Sequence, residues 1–595
     1  MRTLRALGDW VDERTGLRAA VKGWIDAPAA ALDIGSQLLG AVIAACFGVL
    51  VSTGIVLMTN YGASPQSAWA SVHYVQFIEP HGWIVRGIHY WAAQVLLVAS
   101  FMHILYGAVT ATYRPRRELV WWLTLLVAGL SVGQSITGGL LPWDQRGWWA
   151  RSIEANILGL TPVWGAWAQR MVCGGAELGA LGLARAYAAH VLALPLLLAT
   201  VLWARHVLAL RYGRLRGAPT PGVVSRVEQL GPAVAVAVTM TFGLFAVTAG
   251  TRGAPLDAPA DPTSDYLARP EWFLLSLYEL RKFFHGAAEF WALTLIPGAV
   301  TGYLVALPWL DRPPRAHVIV LAPVVICLGA AVLLGIAAVR HDARDPNYAK
   351  MRASAQARAV AAVKIAMSGV PPAGALDMVR NDPELRGRDL FEAQCASCHV
   401  LDGLGDPAKA TATKLDGWGT AEWIEAMMHE PDARQFFGNG PYAQKMPSVD
   451  VRPTDSFIAL TWTAMVKGDI ERHAVALFLA NEGNEPEDGP RQGEHWQRVL
   501  GEKVVRSRCS SCHLYKGDGD LEGSGFAPEL SHYGSIAWTI AQVANPATPQ
   551  TYRDRALDPA MKKHMPRFDR DLSPADVELV SRWTRAHARG IGPLP

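Results

Sequence analysis

Seven apolar runs, near 35–58, 88–110, 119–138, 186–210, 230–250, 288–309 and 316–339, alternate with short polar loops in the first 340 residues. Each is long enough to cross a bilayer as a helix, which takes about 20 mostly apolar residues. After residue 341 the pattern changes to mixed polar and apolar positions at helical and loop spacing. The chain therefore reads as all-α: a seven-helix transmembrane bundle, then soluble sequence. Residues 1–32 mix arginines, aspartates and scattered apolar positions, which predicts an amphipathic surface segment and no cleavable signal peptide.

Charge sets an orientation. Arg114, Arg116 and Arg117 lie between the second and third runs. Arg211, Arg214, Arg216 and Arg226 lie between the fourth and fifth, and Arg312 and Arg315 between the sixth and seventh. The positive-inside rule puts these loops and the N-terminus in the cytoplasm. An odd number of spans then places everything after 340 outside the cell (inner) membrane, in a periplasm where one exists. Trp143, Trp148, Trp149, Trp164 and Trp167 crowd the third-to-fourth loop, as aromatic residues do at a membrane–water interface. Composition agrees: 51% of the 595 residues are hydrophobic and only 18% charged, against about 25% charged in soluble proteins. A net charge of +3 is too balanced to suggest a nucleic-acid binder.

Four histidines sit inside the second and fourth runs. His89 and His103 are 14 residues apart on the second, which brings them back to within about 40° of one face and separates them by about 21 Å. Such a helix presents an imidazole near each membrane surface, and neutral imidazole is a usual haem-iron ligand. The fourth run carries His190 and His206, 16 residues apart. On a straight helix that is a rotation of about 160°. A one-residue π-bulge, with Pro195 as a place for distortion, would rewind it by about 100°. This predicts two bis-histidine haems b, the external one on His89 and His190 and the internal one on His103 and His206. Gly40 and Gly54, also 14 apart on the first run, let a backbone approach a macrocycle; helix–helix packing is the alternative.

Several stretches are similar to cytochrome b of the quinol–cytochrome c oxidoreductases: GWIVRGIH (82–89), PRREL (115–119), GGLLPWDQRGWWA (138–150) and RPEWFLLSLYELRKF (269–283). The resemblance covers residues 33 to about 340 and is nearest to the plastid-type form, its two polypeptides here continuous. It implies a haem-binding part, 33–217, and a three-helix part, 218–340, bearing the quinol-site loop. Two departures stand out. The His190–His206 spacing is longer than the family's usual one. Leu38 stands where the plastid-type form attaches an extra haem to cysteine, so no such haem is expected.

The resemblance also implies roles. Glu271 would accept a proton from quinol, Pro270 would restrain the loop, and Trp272 and Phe273 would line the pocket. Leu141, Pro142, Trp143 and Asp144 would form its opposing wall. Arg86 would pair a haem propionate, or else snorkel to the interface. Arg211 would lie near the internal quinone site, or serve only as a positive-inside charge.

Of seven cysteines, Cys46, Cys173 and Cys327 stand alone and read as buried inert thiols. The others form CASCH (395–399) and CSSCH (509–513), the Cys-x-x-Cys-His pattern of covalent haem c. Cys395, Cys398, Cys509 and Cys512 would carry the thioethers, and His399 and His513 would bind iron. Met446 and Met565, each before proline and 47 and 52 residues downstream of those histidines, supply the second ligands. Met427, Met428 and Met561 lack that context. Two small class I cytochrome c domains follow, 383–485 and 490–595, joined to the membrane part by a linker, 341–382.

Together these readings predict the cytochrome b/c subunit of a quinol:cytochrome c oxidoreductase. Its partners would be the quinone pool, a separate Rieske iron–sulfur protein (no cysteine cluster here binds one) and a downstream cytochrome c or terminal oxidase, in a dimeric complex. The competing readings are a non-bifurcating haem conduit anchoring a partner redox enzyme, and a haem sensor.

Overall fold

The structure, a computed structural model, describes residues 34–595 except 115, 216–223, 313–315, 520–526, 549, 553–564, 595, and 439–467 other than 443, 446 and 448. Before residue 34 it describes 9–10, 12–16, 18–19, 22 and 28–29. Most of the N-terminal surface segment, Arg216, Arg315 and Met561 thus lie outside the described residues. Two compact units divide the chain, 1–378 and 379–595.

Among the described residues of the first unit seven helices have the length and apolarity of membrane spans: Gly35–Thr59, Gly82–Val109, Glu118–Leu140, Ala180–Arg211, Gly231–Thr251, Trp291–Leu310 and His317–Arg344. The protein is a multi-pass membrane protein. The first span packs along the second, the second along the third, the third along the fourth, and the fifth leans on the first two. Ile43, Cys46, Leu96, Ala99, Val127, Leu130, Leu198 and Val201, two from each of the first four spans, form one buried cluster at mid-bundle. Outward positions such as Trp203, Phe242 and Ile319 stay exposed and apolar, as a lipid-facing surface requires. Cys327 is among the exposed positions, so its thiol is not buried as expected.

The fourth span is interrupted by a π-helix at Ala189–Ala193, directly before Pro195. Proline has no N–H and its ring crowds the carbonyl four residues back, and a wider turn relieves that clash.

The loops confirm which ends share a side. Asp311, after the sixth span, is fully buried and takes an ion pair from Arg114, the Tyr113 hydroxyl at 2.7 Å and His317 Nδ1 at 2.8 Å. That joins the second-to-third loop to the sixth-to-seventh. At the other ends, Arg269 forks onto Asp342 at 2.8–3.0 Å and His341 lies 2.6 Å from the buried Glu279. Of the interfacial tryptophans, Trp164 and Trp167 are exposed, while Trp143 and Trp148 are core residues; hydropathy alone does not separate the two cases. The predicted linker is largely a helix, Pro346–Ala366, capped by Asp345 and burying Ala359, Ala362 and Ala366. It packs on the short helix Ala68–His73 and so belongs to the membrane unit.

Among the described residues the second unit has six principal helices: α1 (Pro383–Gln394), α2 (Ala421–His429), α3 (Gly468–Glu482), α4 (His495–Ser507), α5 (Ile536–Ala544) and α6 (Pro574–Ala588). The two repeats are not separate bodies. The first helix of each packs on the last helix of the other, α1 on α6 and α4 on α3, and both repeats share one core. Glycines allow the close crossings. An added Cβ would strike the Trp583 side chain at Gly387 and the Ala474 carbonyl oxygen, at 2.2 Å, at Gly501. Gly501→Val should therefore destabilise both haem-binding halves together, by about 1–3 kcal/mol. Thermal unfolding followed at both c-haem chromophores checks this; separate transitions would contradict it.

Polar clamps reinforce the exchange. Arg386 pairs with Asp576, and the buried Arg585 with Asp488. His587 lies 2.8 Å from Glu384 and 3.1 Å from Asp402, and those partners raise its pKa, the Glu384 hydrogen bond most. A raised histidine pKa stabilises the fold below the ordinary value of 6.5, and the gain is lost as pH climbs through the folded value. The thermal midpoint of this unit should accordingly fall as the pH rises above 6.5. His587→Gln should flatten that pH dependence.

Candidate functional site

His89 and His190 meet across the bundle with ring centroids 6.2 Å apart. His190 Nδ1 donates to the Gln134 carbonyl at 3.1 Å, and His89 Nδ1 lies 2.9 Å from Thr53 Oγ1. Holding Nδ1 in this way leaves Nε2 as the nitrogen available to a metal. Gly54 and Gly138 flank the rings, where an added Cβ would come within 3.3 Å of His89 Cε1 and 2.6 Å of His190 Cε1. Such a glycine cradle fits a bis-histidine haem b. Gly138, Thr53 and Gln134 went unnoticed in the sequence; the Gly138-Gly139 pair just before LPWDQ was the one available signal.

The His103 level is different. His103 is buried, and its Nε2 lies 2.7 Å from an Arg205 guanidinium nitrogen and 3.1 Å from Ser36 Oγ. Gly40 faces the same place, 3.8 Å from Arg205 and 4.0 Å from His103 by an added Cβ. His206 is exposed on the fourth span, so the expected His103–His206 pair does not form. The π-turn is the reason. It rewinds the helix by about 100°, which still leaves His206 about 60° out of phase with His190 and brings Arg205 to about 40°.

Arg86 also departs from expectation. Its guanidinium donates to Gln76 Oε1 at 2.8 Å and to the Ala254 and Pro255 carbonyls at 2.7 and 2.6 Å. It pins the loop after the fifth span where a propionate partner was expected. Arg211 is exposed at the last turn of the fourth span.

Glu271 precedes a short 3-10 turn, Trp272–Leu274, and accepts from Arg146 at 3.1 Å. The Arg146 guanidinium also faces the Tyr90 hydroxyl, next in sequence to His89. Trp272 donates to Gln94 at 2.7 Å and meets Phe273 edge-on, with ring centroids 5.7 Å apart; Pro270 is half-buried before them. The predicted opposing wall is differently used. Trp143 holds a positive φ of 50° and accepts from Ala260 N–H, while Asp144 caps the helix Gln145–Gly159 and takes the Asp257 N–H. Burial above all, then the charge of Asp257, pushes the Asp144 carboxyl up to about 6. Both residues brace the loop from within, and Arg146, which the sequence reading did not single out, is the one that touches Glu271.

In the second unit, His399 Nδ1 donates to the Thr413 carbonyl at 2.8 Å and His513 Nδ1 to the Pro528 carbonyl at 2.9 Å. Both histidines line one cavity together with Cys395, Cys509, Cys512, Met446 and Met565; Met427 and Met428 line it as well. Burial, then the neighbouring cysteine, pushes the Cys395 and Cys509 thiols up to about 12. Thiols so weakly acidic do not suit a dithiol redox pair, whereas an apolar cavity lined by two histidines and four methionines fits two covalent haems.

The fold and these sites define a membrane-embedded b-type haem protein carrying a c-type haem unit. Residues 31–214 match the family described as Cytochrome b/b6/petB, and residues 385–461 and 499–586 match Cytochrome c. The chain is 32% identical over 219 residues to cytochrome b6 of Stigeoclonium helveticum, covering 35% of this chain and 97% of that one. It is 32% identical over 179 residues to cytochrome b6 of Mastigocladus laminosus, covering 30% and 83%. A solved hyperthermophilic respiratory Complex III aligns at 24% identity and a TM-score of 0.49, over 60% of this chain and 97% of that one. The chain belongs to the cytochrome b/b6 family and carries fused cytochrome c repeats. It is a bc-type electron-transfer subunit, and its two parts imply haem b and haem c.

Proposed function

We propose that this chain is the cytochrome b/c subunit of a respiratory quinol:cytochrome c oxidoreductase working by a Q-cycle. The observation that carries the reading is the chain of contacts Glu271–Arg146–Tyr90, which runs from the family's quinol-site carboxylate to the residue beside His89. Trp272 and Phe273 supply an apolar rim for a quinol ring. Arg146 orients the Glu271 carboxylate, and that carboxylate takes a quinol proton and releases it to the outside.

The haems, once bound, supply one-electron carriage in two directions, inward along the bundle and outward through the soluble unit. His89 and His190 hold the first b haem; His399, His513, Met446 and Met565 serve the two c haems. The seven cysteines leave no ligand set for an iron–sulfur cluster, so a Rieske partner receives the first electron and hands it to the c unit. Fusion holds that acceptor at high effective concentration. The basic loops face the cytoplasm and the c unit faces the periplasm, in a dimeric complex of the inner membrane. Quinol:cytochrome c turnover by the purified complex, blocked by a quinol-site inhibitor, tests this. Quinol-dependent reduction of b haem with no inhibitor-sensitive transfer to c would leave only a membrane conduit.

A further inference from the structure

We infer that a haem at the His103 level has one protein ligand, His103, and faces the Arg205 guanidinium on its other side. This rests on the reading above, that both histidine levels hold haem, and alters the second of them. His89 and His103 are 14 residues apart on an unbroken α-helix, so they share a face. His190 and Arg205 are 15 apart, and the π-turn at Ala189–Ala193 absorbs one residue. Arg205 therefore has the same helical phase relative to His190 as His103 has to His89.

The contacts agree. Arg205 donates to Thr124 Oγ1 at 2.8 Å and lies 2.7 Å from His103 Nε2, the very nitrogen that would bind iron. At the His89 level the held atoms are the Nδ1 nitrogens, which leaves Nε2 for a metal. A guanidinium has no lone pair to offer iron and stays protonated, so it closes the pocket without ligating. His206, one residue on, points out of the bundle. Bound haem would replace the Arg205–His103 hydrogen bond and leave an iron face open to a small ligand, with a donor beside it.

The test uses the purified complex and carbon monoxide as the probe. Pyridine haemochrome should give equal b and c haem. Ferric EPR should show one b centre high-spin, and the dithionite-reduced protein should bind carbon monoxide at about half its b haem. His206→Ala should change none of these, whereas Arg205→His should abolish carbon monoxide binding and turn the high-spin signal low-spin. Two low-spin, carbon-monoxide-inert b centres in the unmodified chain, with one b haem lost in His206→Ala, would overturn the inference. A b haem content half that of c would instead show that the His103 level holds no haem, overturning the two-haem reading as well.

Discussion

Replacing Glu271 with glutamine slows quinol oxidation by about a hundredfold or more, the usual contribution of a positioned proton acceptor, while haem content and the b and c spectra stay unchanged. The amide keeps the size of the side chain, and its oxygen can still accept from Arg146. What is lost is the capacity to take up a proton. Arg146→Leu should give a smaller loss, because the carboxylate remains but its orientation does not. Unchanged turnover in Glu271→Gln would remove that residue from the reaction and leave the PEWF loop a structural element.

His190→Leu has the larger effect on composition: one of the b haems is lost, and inhibitor-sensitive quinol turnover with it. His89→Leu should match it, because both rings belong to one site at 6.2 Å. Gly138→Val should reproduce the loss without touching a ligand, since its Cβ would lie 2.6 Å from His190 Cε1. Haemochrome content of the purified variants, with c haem as the internal standard, reads all three. Retention of full b haem in His190→Leu would place the ligands elsewhere.

The seven spans were legible because a bilayer demands long apolar runs, and the two CxxCH motifs because they are local. The deformation near Pro195 was foreseen from the histidine spacing. Its outcome was not, since a rewind of about 100° lands between Arg205 and His206, and only packing against Ser36, Gly40 and Thr124 decides which turns inward. The helix exchange in the c unit had no sequence signature. Gly387 and Gly501 are equivalent crossing points in two similar repeats, and such repeats do not say whose last helix each first helix will meet. Arg146 was missed for a related reason: a single arginine inside LPWDQR gains its meaning from Glu271, 125 residues away.

The most direct test of the whole account is rapid mixing of the purified complex with quinol while the b and c absorption bands are followed separately. Both b and c haem of the same preparation should be reduced, the c band within one turnover, and a quinol-site inhibitor should block both. Reduction of b haem with the c band unchanged would contradict the claim that this chain carries quinol electrons to its own c haems.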